Sequence, residues 1–188
     1  MKNRVTRLSI DAPSVLYSAI NEIGRRKIRE DIASNIALSE KYCNSILGKC
    51  KEKLGNDSDS ETLGSICEGL LHFMLTAALL PSQRKVTSRQ YEIDVVIPSL
   101  RLIEKEPRKV LLIQVLKSSE GAAKKIADAE ALQPVRDNIW VVSSKKISAG
   151  YRSYHIGFDN PTYSRIIIDI HDFVTKNRLS GLRLLQGE

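Results

Sequence analysis

Two carboxylates and a lysine stand where the sequence is otherwise apolar. Asp94 interrupts the run Tyr91-Glu-Ile-Asp-Val-Val-Ile97, Glu68 lies between Cys67 and Leu70 beside a broad apolar stripe, and Lys117 closes Val110-Leu-Leu-Ile-Gln-Val-Leu-Lys117. A carboxylate removed from water without a partner is costly, so Asp94 asks for a cation or for hydrogen-bond donors. Each residue also has a plain role when read singly. Glu68 can be an ion-paired helix charge, and Lys117 the cap of a strand end. His72 falls one turn beyond Glu68 and reads as a partly buried helix histidine, and His171 as structural. The three cysteines (Cys43, Cys50, Cys67) form no C-x-x-C pair. With only three histidines beside them, a disulfide framework and a Cys/His zinc cage are excluded.

A second group of residues is basic. Residues 1–56 hold 11 Lys/Arg against 6 Asp/Glu and the remaining 132 hold 18 against 16, so most of the net charge of +7 sits on the first third. Such a patch is the footprint expected for binding a phosphate backbone, the plain alternative being a solvated surface. Here it coincides with a pattern. Ser14 after Pro13 reads as the cap of a helix carrying Val15, Leu16, Ala19, Ile20 and Ile23, stopped by Gly24. Ile32, Ala33 and Ile36 form a short apolar face, with Ala33 at the closest approach. Leu38 plugs a turn at Ala37, Ser39 caps the next helix, and Cys43, Ile46 and Leu47 face inward. This resembles the helix-turn-helix of winged-helix DNA-binding domains. The resemblance implies that Lys41, Asn44, Ser45 and Lys49 face outward to read DNA, while Arg25, Arg26 and Lys27 reach the flanking backbone.

The polar run Asn56-Asp-Ser-Asp-Ser60 divides a module over 1–56 from a domain over 57–188. Periodicity in the latter predicts a helix from Ser60 to Ala78. Strands are expected at Tyr91–Ile97 and Val110–Lys117, a helix at Ala122–Leu132, a strand at Asn138–Ser143, another at Arg165–Ile170, and a closing helix over 172–179. The near-continuous apolar run at Val110 is the pattern of a central strand, and the helix after it suggests a crossover inside a mixed sheet. The fold class is therefore α/β (α+β). Tyr151, Tyr154, Phe158 and Tyr163 with Arg152 form a basic–aromatic segment that either contacts DNA or covers a sheet edge.

This element order, with its polar residues, resembles the restriction-endonuclease-like PD-(D/E)xK nucleases, whose archaeal Holliday-junction resolvases have a similar layout. The resemblance implies Mg²⁺- or Mn²⁺-dependent cleavage of DNA, whether duplex, junction or branched. It makes Asp94, Glu68 and Gln114 the metal-binding set and Lys117 the residue that orients water or stabilises phosphate charge. The pattern departs at one position. Strand alternation puts Val115, not an acid, on the same face as Lys117; Gln114 joins the site only through a β-bulge at Leu116, and Glu92 is the alternative carboxylate. The rival expectation is a non-catalytic DNA-binding regulator whose nuclease-like domain serves dimerisation or partner binding. A homodimer is expected where two strands are cut. A basic N-terminus without an apolar core, and no membrane-length stretch, lead to the expectation of a cytoplasmic protein with no membrane partner. No Walker loop, G-x-S-x-G or dinucleotide fingerprint is present, which removes the support for an NTPase, a serine hydrolase or an oxidoreductase.

Overall fold

The computed structural model describes residues 11–55, 59–145, 150–157 and 162–185, with side chains of the last segment described as far as residue 177. Six helices run in the order α1 (Ala12–Ile23), α2 (Arg25–Ser34), α3 (Leu38–Leu54), α4 (Ser60–Ala77), α5 (Ala122–Leu132) and α6 (Ile166–Leu185). Five strands, β1 (Gln83–Ser88), β2 (Tyr91–Ile97), β3 (Leu111–Leu116), β4 (Ile139–Ser143) and β5 (Arg152–His155), form one sheet in sequence order. β1, β2 and β3 pair antiparallel; β3, β4 and β5 pair parallel. The sheet is mixed, and β3–α5–β4 is its crossover, as the apolar run at Val110 predicted. All six residues of β3 are buried, because helices cover both of its faces.

One face of the sheet carries Val95, Ile97, Leu111, Ile113, Val115, Trp140 and Val142 into a core shared with α1, α3, α4 and α6. The other presents Ile93, Val96, Leu112 and Ile139 to Ala129 of α5. The larger core includes Leu16 and Ile20 of α1, Ile28 and Ile32 of α2 and Cys43 and Ile46 of α3, so the helices of residues 11–55 are continuous with the sheet's core. α1 lies close on α4 because position 69 is glycine: a Cβ there would stand 2.7 Å from Leu16 Cδ2.

Local details correct several expectations. Asp11, not Ser14, caps α1, its Oδ2 accepting from the Ser14 N–H and hydroxyl. The α1–α2 join is one residue, Gly24, at φ 103, a conformation natural to glycine. Ala33 is exposed, and the close contacts of α2 are made by Ile28 and Ile32. Ser39 lies inside α3, fully buried, while Asn35 organises the turn by accepting from Ala37 N–H at 3.1 Å. Cys43, Ile46 and Leu47 do face inward, and Lys41, Asn44 and Ser45 are exposed. Within 11–55 the structure has three helices and no strand.

The stretch Arg165–Ile170, predicted as a strand, is a 3-10 turn at Arg165 leading into α6; Ile166, Ile167, Ile170 and Val174 are buried at helical spacing, which a short β-branched run conceals. The fifth strand is Arg152–His155, and β1 was not foreseen, its burial being partial and its composition polar. Phe158 lies outside the described residues. Tyr154 and Tyr163 are buried, bonded to Asp169 Oδ2 at 2.7 Å and Cys67 O at 2.6 Å, and the Arg152 guanidinium lies 4.5 Å from the Trp140 ring centroid. Tyr154 lies on the edge strand β5, and both tyrosines are taken up in the core.

Because their packing is shared, the helices of 11–55 and the sheet are expected to unfold together. Leu16→Ala, at a side chain 3% exposed, is expected to cost about 2–5 kcal/mol and lower the Tm on the order of 10 °C. Calorimetry should show one shifted transition, not early melting of the N-terminal helices alone.

Candidate functional site

The site is built where β2 and β3 stop pairing. Their ladder runs Ile97↔Leu111, Val96↔Leu112 and Val95↔Ile113, then ends at Asp94. Beyond that point side chains replace it. Asp94 N–H donates to Gln114 Oε1 at 3.2 Å, and Val115 N–H donates to Asp94 Oδ2 at 2.7 Å. On the other flank Lys85, opposite Asp94, adopts φ 46 and makes no bridge. The alternation of β2 breaks with it: Val95 faces the α4 core, and Ile93 faces the α5 core with Val96.

Two lysine–carboxylate pairs flank the end of β3. From α5, Lys125 Nζ contacts Asp94 Oδ2 at 2.6 Å and Val115 O at 3.0 Å. From the α4 side, Lys117 Nζ contacts Glu68 Oε2 at 2.7 Å. Lys117 comes that near to α4 because Gly64, one turn before Glu68, has no Cβ; one would meet Lys117 Cγ at 2.8 Å. Lys125 was missed in the sequence, where Ala122–Leu132 carries it beside Lys124 on a helix with no motif to single it out. Lys124 itself is bound to Asp128 Oδ2 at 2.7 Å.

Gln114 does not join Glu68. It is fully buried on the α5 side, donating from Nε2 to Glu92 O and Lys125 O, each at 2.9 Å. The β3–β4 register is unbroken from Leu112↔Ile139 to Leu116↔Ser143, so no bulge forms at Leu116. Val115 packs in the α4 core. Glu92 is exposed, its N–H donating to Asp128 Oδ2 at 3.2 Å. Among the described residues no group of three His, Cys, Asp or Glu side chains comes together as a metal cage.

Glu68 Oε1 is buried and accepts no hydrogen bond; Lys85 Nζ and Arg84 Nη2 lie 3.5 and 3.7 Å from it. Burial pushes the Glu68 carboxyl up, but the Lys117 hydrogen bond and the charges of Lys117, Lys85 and Arg84 outweigh it and hold the group below its ordinary value. His72, four residues on, also has a buried unpartnered Nε2. Burial and then Arg84 lower it to about 4, against Glu68 and Asp94, so its imidazole is neutral at pH 7. Glu68, His72 and Lys117 open into a cleft of about 620 Å³ between α1–α2 and α4–β1.

In the N-terminal helices Arg25, Arg26 and Lys27 are all exposed. Arg26 pairs with Glu30 at 2.6 Å and Lys27 with Asp31 at 3.4 Å. Lys49 is bound to Glu22 at 3.1 Å, which leaves Lys41, Asn44 and Ser45 as the open outer face of α3.

No family model matches the chain, and no curated protein matches its sequence. Among solved structures, metal-depleted Ecl18kI in complex with uncleaved DNA aligns at a TM-score of 0.50 and 10% identity, over 89% of this chain and 80% of that one. The same protein with uncleaved, modified DNA aligns over the same shares at 0.49 and 10%. The fold is restriction-endonuclease-like. Within it, the helix before the sheet carries Glu68, the second strand Asp94 and the end of the third Lys117. No helix of the described residues is long and apolar enough to cross a membrane.

Two predictions follow from these contacts. Gln114→Glu would set a carboxylate oxygen against two carbonyls, so it should destabilise by about 1–3 kcal/mol at neutral pH. Its deficit relative to wild type should shrink as pH falls and the new group protonates, read from denaturant midpoints. For His72 the unfolded chain holds the extra proton between its ordinary pKa of 6.5 and its folded value of about 4. Stability therefore rises with pH across that window and is lost on acidification. His72→Gln should flatten the curve there, leaving the Glu68 contribution to disappear below about 4.5.

Proposed function

We propose that the chain binds DNA and hydrolyses its phosphodiester bonds with a divalent cation, Mg²⁺ or Mn²⁺, at Glu68 and Asp94. The observation that carries this reading is Glu68. Its side chain is 5% exposed, one oxygen is held by Lys117, and the other has no hydrogen bond beside a basic cleft. A carboxylate oxygen of that kind suits a hard cation. Mg²⁺ is commonly held by one or two carboxylates with water and substrate phosphate completing the shell; Glu68 lines the cleft, and Asp94, whose Oδ2 is taken by Lys125 and Val115 N–H, would offer its other oxygen. Gln114 does not fit as a ligand, since its amide is spent on the backbone. When bound, the cation would supply Lewis acidity and a hydroxide at neutral pH. The chain's own part is positional. Lys125 and Val115 N–H fix Asp94, and Lys117 stands ready to stabilise charge on a phosphate oxygen once it releases Glu68. The open face of α3, with Lys41, Asn44 and Ser45, suits contact with DNA, and a second copy of the chain would supply the site for the opposite strand.

A second reading has its own observation. Val115 occupies the core where a third carboxylate would stand, which favours a DNA-binding protein that does not cut. One assay separates the two. Duplex, single-stranded and four-way-junction DNA are incubated with the chain and Mg²⁺ or Mn²⁺, alongside Glu68→Gln, Asp94→Asn and Lys117→Met. Cleavage lost in both carboxylate variants and reduced about 10²–10³-fold in Lys117→Met supports the enzyme. Binding without cutting by wild type supports the second reading.

A further inference from the structure

The cleft holds more positive charge than Glu68 requires. It is lined by Arg25 and Arg29 of α2, Arg84 and Lys85 of β1 and Lys117 from the end of β3, against the carboxylates of Glu68 and Asp11. Consecutive strand residues point to opposite faces, yet Arg84 and Lys85 both reach Glu68 Oε1. The positive φ of Lys85, at the break in pairing opposite Asp94, turns the two cations the same way. Facing them, Arg25 and Arg29 are exposed, and among the described residues neither is held by a carboxylate, unlike their neighbours Arg26 and Lys27. Arg29 rests instead 5.9 Å from the Phe73 ring centroid.

We propose that this cleft seats the sugar–phosphate backbone of duplex DNA, with Arg25 and Arg29 on one wall and Arg84 and Lys85 on the other contacting successive phosphates. The inference rests on the DNA-binding reading and names the surface that serves it. A single small anion would satisfy two or three donors in one place. Cations on three elements, along a cleft of about 620 Å³, match a chain of charges. Glu68 is the counter-ion that holds Arg84 and Lys85 in the cleft until phosphate takes them over.

Duplex DNA binding by the full chain is measured by fluorescence anisotropy over a salt series. The variants are Arg29→Gln/Arg84→Gln, Arg25→Gln, and Lys105→Gln/Arg108→Gln. The last pair is exposed, does not line the cleft and removes the same charge as the first. Each lost phosphate contact lowers the slope of log K against log salt by about 0.9. The first variant should lose nearly two units of slope and Arg25→Gln nearly one, with Lys105→Gln/Arg108→Gln unchanged. Equal slopes for the cleft and control variants would overturn the assignment of the cleft while leaving DNA binding intact. No binding by wild type at low salt would overturn the DNA-binding reading itself.

Discussion

The structure around the site depends on one substitution of bonding: the Asp94 carboxylate accepts the Val115 N–H that a neighbouring strand would ordinarily accept. A buried N–H must find an acceptor. By providing it from a side chain, Asp94 lets β2 and β3 part without leaving the backbone unsatisfied. Gln114 completes the exchange by accepting from Asp94 N–H and closing two carbonyls on the α5 side. Lys125 neutralises the carboxylate so used. The parting of the strands, the turned-out Lys85 and the reversal of Ile93 belong to the same event.

Gln114 thereby has a physical account. A glutamate in its place would present a second acceptor to carbonyls that need a donor, so the amide is the side chain that fits both demands. The polar groups near the end of β3 then divide in two. Asp94 Oδ2, Gln114 and Lys125 form a set that holds the strands, and Glu68, with its buried unbonded oxygen, lines the cleft with Lys117, Arg84 and Lys85.

Much of the fold was legible in the sequence because strong periodicity wrote it there. α4, β2, β3, α5 and β4 were expected within a residue or two, each being long and apolar on a fixed face or buried throughout. Asp94 announced itself by its apolar neighbours. The strand expected at Arg165–Ile170 is helical because three isoleucines in a row are ambiguous until packing chooses the period. β1 escaped notice since an edge strand of polar residues leaves no pattern. Lys125 and Gly64 act through space, the first bonding a residue 31 positions away and the second making room for Lys117. No local signal marks either one.

The shared core beneath the cleft has a thermodynamic meaning. One wall rests on α1 and α2, the other on α4 and β1, and Leu16 seated at Gly69 locks them together. The walls therefore cannot drift apart without opening the hydrophobic interior. A ligand entering between them meets a pocket whose shape is set before it arrives, and ordering entropy that a hinged pair of modules would lose on binding has already been spent in folding.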